Sequence, residues 1–250
     1  MANLMKRDMD ILKILSLGVA TSPMIRSLLA AYGYTFSLQV LFRRLSIDRR
    51  AGFIITRRIS FSGRRGNYTA YAITKIAIEI LTEFGHSCDE MRIGLPKTMF
   101  VNHEINVTKV LHIVHTESLE GFYKYNFVDS YLLKMERLKG SKKAIPDLKL
   151  IIRLKVRTVE LNIEVDLGTV LTRKMIHRIV DQANDGNIVL IMCTSRKRLE
   201  NLHQACSGAN LYNRKNVLFV MAEDFYAGGL MNTDLLTMDD KLVRVNLEDE

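Results

Sequence analysis

The chain has 250 residues, 48% of them apolar and 25% charged, which excludes disorder, collagen-like repeats and a disulfide scaffold. With 3 Pro, 14 Gly and no Trp it has no Pro-rich linker, and no apolar run approaches the ~18–20 residues of a membrane span. The net charge of +9 is unevenly placed: residues 1–75 hold 13 Lys+Arg against 3 Asp+Glu, and residues 76–250 hold 23 against 24. The basic excess is confined to the first third, as in a polyanion-binding domain.

In chain order, periodicity predicts a first helix over about 8–18, with Ile11, Leu12, Leu15 and Val19 on one face. Thr21 or Ser22 caps a second helix with Pro23 in its first turn and Met24, Ile25, Leu28 and Leu29 repeating apolar. After Tyr32-Gly33-Tyr34 a third helix runs over about 36–50, with Leu38, Leu41, Phe42 and Leu45 inward and Gln39, Arg43, Ser46 and Arg50 outward. Two strands follow, Phe53 to Phe61 and Asn67 to Ile73, joined by the basic turn Ser62-Gly63-Arg64-Arg65-Gly66. Thr74 caps a helix from Lys75 to Phe84.

Three short helices and a basic hairpin make a winged helix-turn-helix over residues 1–90, its third helix placed for the major groove of double-stranded DNA. Arg43, Arg44, Arg49 and Arg50 on that helix and Arg57, Arg58, Arg64 and Arg65 on the hairpin are the expected DNA contacts. Gln39 and Arg43 are the candidates for base edges, since both side chains bond bases bidentately. The alternative for the helix arginines is a solvated face.

Residues 85–98 read as a linker, and a domain is expected over 98–222. A helix to about Ser118 is followed by strand patterns at about 123–127, 148–156, 159–166, 187–193 and 216–221 and helices at 129–138, 169–184 and 195–206. The alternation after 145 predicts a mixed α/β sheet covered by helices. Residues 223–250, with 8 acidic and 2 basic residues, read as an acidic tail. Ile145-Pro146-Asp147 opens one strand and Glu164-Val165-Asp166-Leu167-Gly168-Thr169 closes the next, which places Asp147 beside Glu164. Two carboxylates so close repel unless a cation neutralises them, and hard oxygen ligands suit Mg²⁺ or Mn²⁺. The ordinary alternatives are Asp147 as a turn residue and Glu164 paired with an arginine of the sheet.

Proline-aspartate, a hairpin and an acidic strand resemble the PD-(D/E)xK core of restriction-endonuclease-like folds. The order of segments resembles the replication-relaxation family of plasmid and mobile-element proteins, some of which are similar to MobC-type mobilisation relaxases. The matching stretches are Tyr71-Ala72-Ile73-Thr74, Asn102-His103-Glu104-Ile105-Asn106-Val107, Ile145-Pro146-Asp147, Glu164 to Thr169, and Ile188 to Leu199 with Thr194, Ser195 and Arg196. The resemblance spans about residues 8–220. It implies a winged helix followed by a nuclease-like domain, a metal site of Asp147 and Glu164, and Glu104 as a third acidic member.

The nuclease pattern expects Lys where this chain has Asp166. Lys155, Lys174 or His177 is then the substitute, or Asp166 is itself a ligand. The resemblance thus implies a metal-dependent nickase acting at an origin-type site with other mobilisation or replication proteins. The alternative is a catalytically inactive accessory or regulatory DNA-binding factor, and a third reading is a transcription repressor with an effector domain.

Other chemistry has little support. His112 and His115 share a helical face with no cluster to complete a zinc shell, and no glycine loop for a nucleotide phosphate is present. Tyr68, Tyr71 and Tyr131 lie in no catalytic motif. Met1 to Asp8 lacks the apolar core of a signal peptide, and Cys88, Cys193 and Cys206 are odd in number, so a reduced cytoplasmic setting without a membrane is expected.

Overall fold

The computed structural model describes residues 4–60, 67–86, 93–129, 144–153, 157–209 and 211–245. The chain divides into two compact units, Met1–His112 and Ile113–Glu250.

The first unit begins with α1 (Lys6–Ser16), where the Met5 N–H donates to Asp8 Oδ2 at 2.8 Å and so satisfies a donor at the helix start. Strand β1 (Ala20–Thr21) leads into α2 (Ser22–Ala31), which has Pro23 in its first turn. Helix α3 (Leu38–Arg50) is capped by Ser37, whose Oγ accepts the Val40 N–H at 3.4 Å. Strands β2 (Ile54–Ser60) and β3 (Asn67–Ile73) form an antiparallel hairpin, and β1 pairs with β3 to give the order β1-β3-β2.

Helix α4 (Lys75–Glu83) follows, capped by Thr74, whose hydroxyl accepts the Ala77 N–H at 3.4 Å. Buried Ile11, Leu12, Leu15, Leu28, Leu41 and Leu45 bring the three short helices around one core. This is a winged helix-turn-helix. The tip of the wing, with Arg64 and Arg65, lies outside the described residues.

The expected linker does not end this unit. Helix α5 (Thr98–Leu119) contributes Val101 and Ile105 to a cluster with Val19, Ile59, Ala70 and Ala72. Gly18 permits the approach: its φ is +140°, and a Cβ there would lie 2.3 Å from Thr108 Oγ1.

Among the described residues the second unit is built on a seven-stranded mixed sheet, whose strands run from one edge in the order Leu242–Val243, Leu235–Thr237, Val217–Met221, Ile188–Cys193, Thr158–Asp166, Leu148–Arg153 and Lys124–Asp129. Strands β4 (Lys124–Asp129), β5 (Leu148–Arg153) and β6 (Thr158–Asp166) are successive antiparallel neighbours. Helix α6 (Thr172–Asn184) then returns the chain to β7 (Ile188–Cys193), parallel to β6, and α7 (Arg196–Ser207) to β8 (Val217–Met221), parallel to β7. Met175, Ile179, Leu199, Leu202 and Cys206 of these helices pack on Val189, Ile191, Val217 and Phe219 of the sheet. A hairpin leading by helical crossovers into parallel strands gives the mixed α/β sheet covered by helices that the strand and helix alternation predicts. The helix expected at 129–138 falls mainly outside the described residues; Asp129 itself ends β4.

The acidic tail expected after 222 is instead part of this unit. Residues 222–243 form α8 (Ala222–Asn232), β9 (Leu235–Thr237) and β10 (Leu242–Val243), the last two antiparallel at one sheet edge. The described acidic residues sit at element ends or in turns. Glu223 and Asp224 lie in the first turn of α8, where the helix dipole favours them, and Asp234 pairs with Arg244 at 2.5 Å. Among the described residues, no helix is long and apolar enough to cross a membrane.

Candidate functional site

The sequence of α3 alternates inward leucines with outward polar residues, and the helix buries Leu41, Leu45 and Asp48. Gln39, Arg43, Arg49 and Arg50 are exposed, and the Arg50 guanidinium reaches Ser46 Oγ at 3.4 Å. At 3.6 residues per turn Gln39, Arg43, Ser46 and Arg50 lie along one strip of the helix. Arg58 on β2 is exposed as well.

Arg44 departs from the expectation. It is turned into the fold, where it forms a bidentate ion pair with Asp8 and lies 3.8 Å from Asp48. Its position in the helix explains this, because it falls between the strip and the leucine face. Arg57 is half-buried and donates to the Pro96 carbonyl at 2.5 Å.

The three acidic residues of the basic third are all buried: Asp8, Asp10 and Asp48 are 0%, 5% and 1% exposed. Asp10 accepts from the Tyr34 hydroxyl at 2.7 Å and lies 3.4 Å from Lys13 Nζ. Burial, and secondarily the charge of Asp8, push the Asp48 carboxyl up to about 6, against the pull of Arg44 and Arg7. The acids thus serve internal structure, and none of them stands at the surface beside the exposed arginines.

In the second unit the structure brings Asp147 and Glu164 together. The Asp147 N–H donates to the Ile163 carbonyl at 3.1 Å, and Asp147 Oδ2 accepts the Val165 N–H at 2.9 Å, which fastens the start of β5 to β6. Neither side chain faces a vacant cation site. Arg178 of α6 lies 3.3 Å from Asp147 Oδ1 and 2.7 Å from Glu164 Oε2 and also donates to the Ile145 carbonyl at 2.8 Å. Gln182, one turn further, donates to Glu164 Oε1 at 2.5 Å and accepts from Asn162 at 3.0 Å.

Glu164 has no exposed surface. Burial and then the neighbouring Asp147 push its carboxyl well above the ordinary range, while Arg178 and Gln182 pull the other way. A divalent ion needs several oxygens turned toward a common open point. Here Gln182 binds Glu164 Oε1 and the Arg178 guanidinium, 2.7 Å from Oε2, holds the cationic position between the two carboxylates, so these residues do not fit Mg²⁺ or Mn²⁺.

Asp166 is not a third ligand of the pair. Its Oδ2 accepts from Arg198 Nε at 2.5 Å and its Oδ1 from the Gly168 N–H at 2.8 Å. Arg198 also donates to Thr172 Oγ1 and the Val170 carbonyl, both at 2.6 Å, so this arginine organises the loop after β6. Glu104 lies on α5 in the first unit, 4.0 Å from His103 Nδ1. His177 pairs with Asp181 at 3.0 Å and Lys174 is exposed, while Lys155 lies outside the described residues. Among the described residues no three His, Cys, Asp or Glu side chains are grouped to hold a metal ion.

Arg178, Gln182 and Arg198 are the partners that sequence reasoning missed. Gln182 carried a signal: it continues the buried stripe of Met175 and Ile179 at helical spacing, where a polar residue needs a buried partner.

No family model and no curated protein matches the chain. Among solved structures, Bacillus subtilis PadR in complex with operator DNA is 13% identical, with 56% of this chain and 81% of that one covered at a TM-score of 0.29. The smu.1604c protein of Streptococcus mutans UA159 is 18% identical over 55% and 82% of the two chains, with a TM-score of 0.28. The restriction endonuclease FokI is 12% identical, with 92% of this chain and 46% of FokI covered and a TM-score of 0.29. At TM-scores this low the likenesses carry no argument, and the site is read from its own geometry.

Proposed function

We propose that this protein is a double-stranded-DNA-binding factor that reads sequence through α3 and that its second unit serves an accessory or regulatory role rather than metal-dependent nicking. One observation carries the first half: every acidic residue of the basic third is buried, so no surface carboxylate of that third competes with a phosphate backbone for the exposed strip of Gln39, Arg43 and Arg50. The order of three helices and a wing supports entry of α3 into the major groove. The second half rests on Arg178, whose guanidinium sits against both Asp147 and Glu164 where a nuclease would use an ion. The resemblance to the replication-relaxation family supports an origin-type duplex of a mobile element as the target.

The test uses the full chain. Fluorescence anisotropy with duplexes enriched from a random library is expected to show saturable binding that weakens steeply with salt. Supercoiled plasmid carrying an enriched site is expected to stay intact in Mg²⁺ and in Mn²⁺. Metal-dependent nicking that Asp147→Ala abolishes would restore the nickase reading, and an absence of duplex binding would remove the DNA-binding one.

A further inference from the structure

The recognition face of α3 is not wholly polar. Val40 is 46% and Phe42 45% exposed, although Leu41 between them is fully buried. At about 100° per residue, Val40 projects about 60° to one side of Arg43 and Phe42 about 60° to the other side of Gln39. Two apolar side chains therefore flank the two groups able to bond base edges. Val40 and Gln39 lie in the first turn, the end of a recognition helix that contacts bases.

What would meet this apolar pair is set by the basic residues around it. A second copy of this chain is disfavoured by charge, because the same face carries Arg43, Arg49 and Arg50 and two such faces would repel. A duplex supplies phosphates for the arginines, and its major groove offers one apolar group, the C5-methyl of thymine.

We infer, resting on the duplex-binding reading above, that Val40 and Phe42 are specificity-determining residues that pack on thymine C5-methyl groups beside the bases met by Gln39 and Arg43. Glutamine suits adenine and arginine suits guanine, so the preferred site holds thymines next to an adenine and a guanine. Because one buried methyl is worth ~0.8 kcal/mol, its removal is expected to weaken binding about fourfold.

The experiment replaces single thymines of an enriched duplex by deoxyuridine, which removes only the methyl. Full-chain protein is expected to lose about fourfold affinity at each contacted thymine and none at others, with an unchanged salt slope. Val40→Ala and Phe42→Ala are each expected to bind the parent duplex more weakly and to become indifferent to deoxyuridine at one position. Both residues are exposed, so the variants are expected to unfold at the wild-type temperature.

Tight binding that is indifferent to every deoxyuridine overturns the thymine inference and leaves duplex binding standing. Loss of self-association in Val40→Ala with unaltered DNA preference also overturns it and assigns the face to a second copy. Failure to bind any duplex removes the underlying reading instead.

Discussion

Arg178 decides what the carboxylates of the second unit can do. A buried charge that loses its partner is costly, typically 3–5 kcal/mol, because nothing replaces the missing attraction. Arg178→Met leaves Asp147 and Glu164 facing one another and is expected to lower stability by about that amount in urea denaturation. Adding Asp147→Asn and Glu164→Gln removes both charges and is expected to recover most of the loss; no recovery would mean that packing, not charge, sets the effect. Asp48 poses the complementary case in the first unit. Its folded carboxyl, at about 6, holds a proton more tightly than the unfolded one, near 3.9. Folding is thus helped by this group at acid pH and hindered as pH rises through about 6. At ~1.4 kcal/mol per tenfold the handicap at pH 7 is at most about 3 kcal/mol. Asp48→Asn is expected to raise the Tm at pH 7 and leave it nearly unchanged at pH 4. An equal shift at both values would rule out the titration.

At the scale of elements, β6 shows how one strand serves two anchoring points. Glu164 and Asp166 project from the same face two residues apart, yet one is held by α6 and the other by Arg198 of α7. Asp166→Lys, which would restore the nuclease motif, places a second cation against Arg198 in a buried setting. It is expected to cost about 3–5 kcal/mol by calorimetry and to confer no nicking. A stable, nicking variant would show Asp166 to be a displaced lysine after all. Elements with a strong period were legible in the sequence: α3, β3 and the β5–β6–α6 succession fall within a few residues of their expected places. Strand β1 was not, because two residues carry no alternation and exist as a strand only through pairing with Ala70 and Tyr71. Charge density hid α8, β9 and β10, whose acidic residues cluster at turns and helix ends rather than in a solvated run. The Asp147–Glu164 juxtaposition was legible from the hairpin register. Its cation was not, since Arg178 sits between buried Met175 and Ile179 without a motif of its own.

Over the whole molecule, charge is sorted by burial as well as by position. The first 75 residues expose basic groups and hide all three acids, and with 13 Lys+Arg against 3 Asp+Glu this third carries +10, more than the +9 of the full chain. This separates arginines that meet DNA from arginines that hold the fold. For each phosphate that a variant no longer neutralises, the slope of log affinity against log salt is expected to fall in magnitude by about 0.9. Arg49→Ala and Arg50→Ala are each expected to approach that value, measured by anisotropy across a salt series. Arg43→Ala is expected to change sequence preference instead, as a base-edge contact would. Arg44→Ala is expected to leave the slope unchanged and lower the Tm, because it strips Asp8 of its bidentate partner in the core of the first unit. If Arg44→Ala flattened the slope while Arg50→Ala did not, DNA would have to bind a different face from the strip that α3 presents.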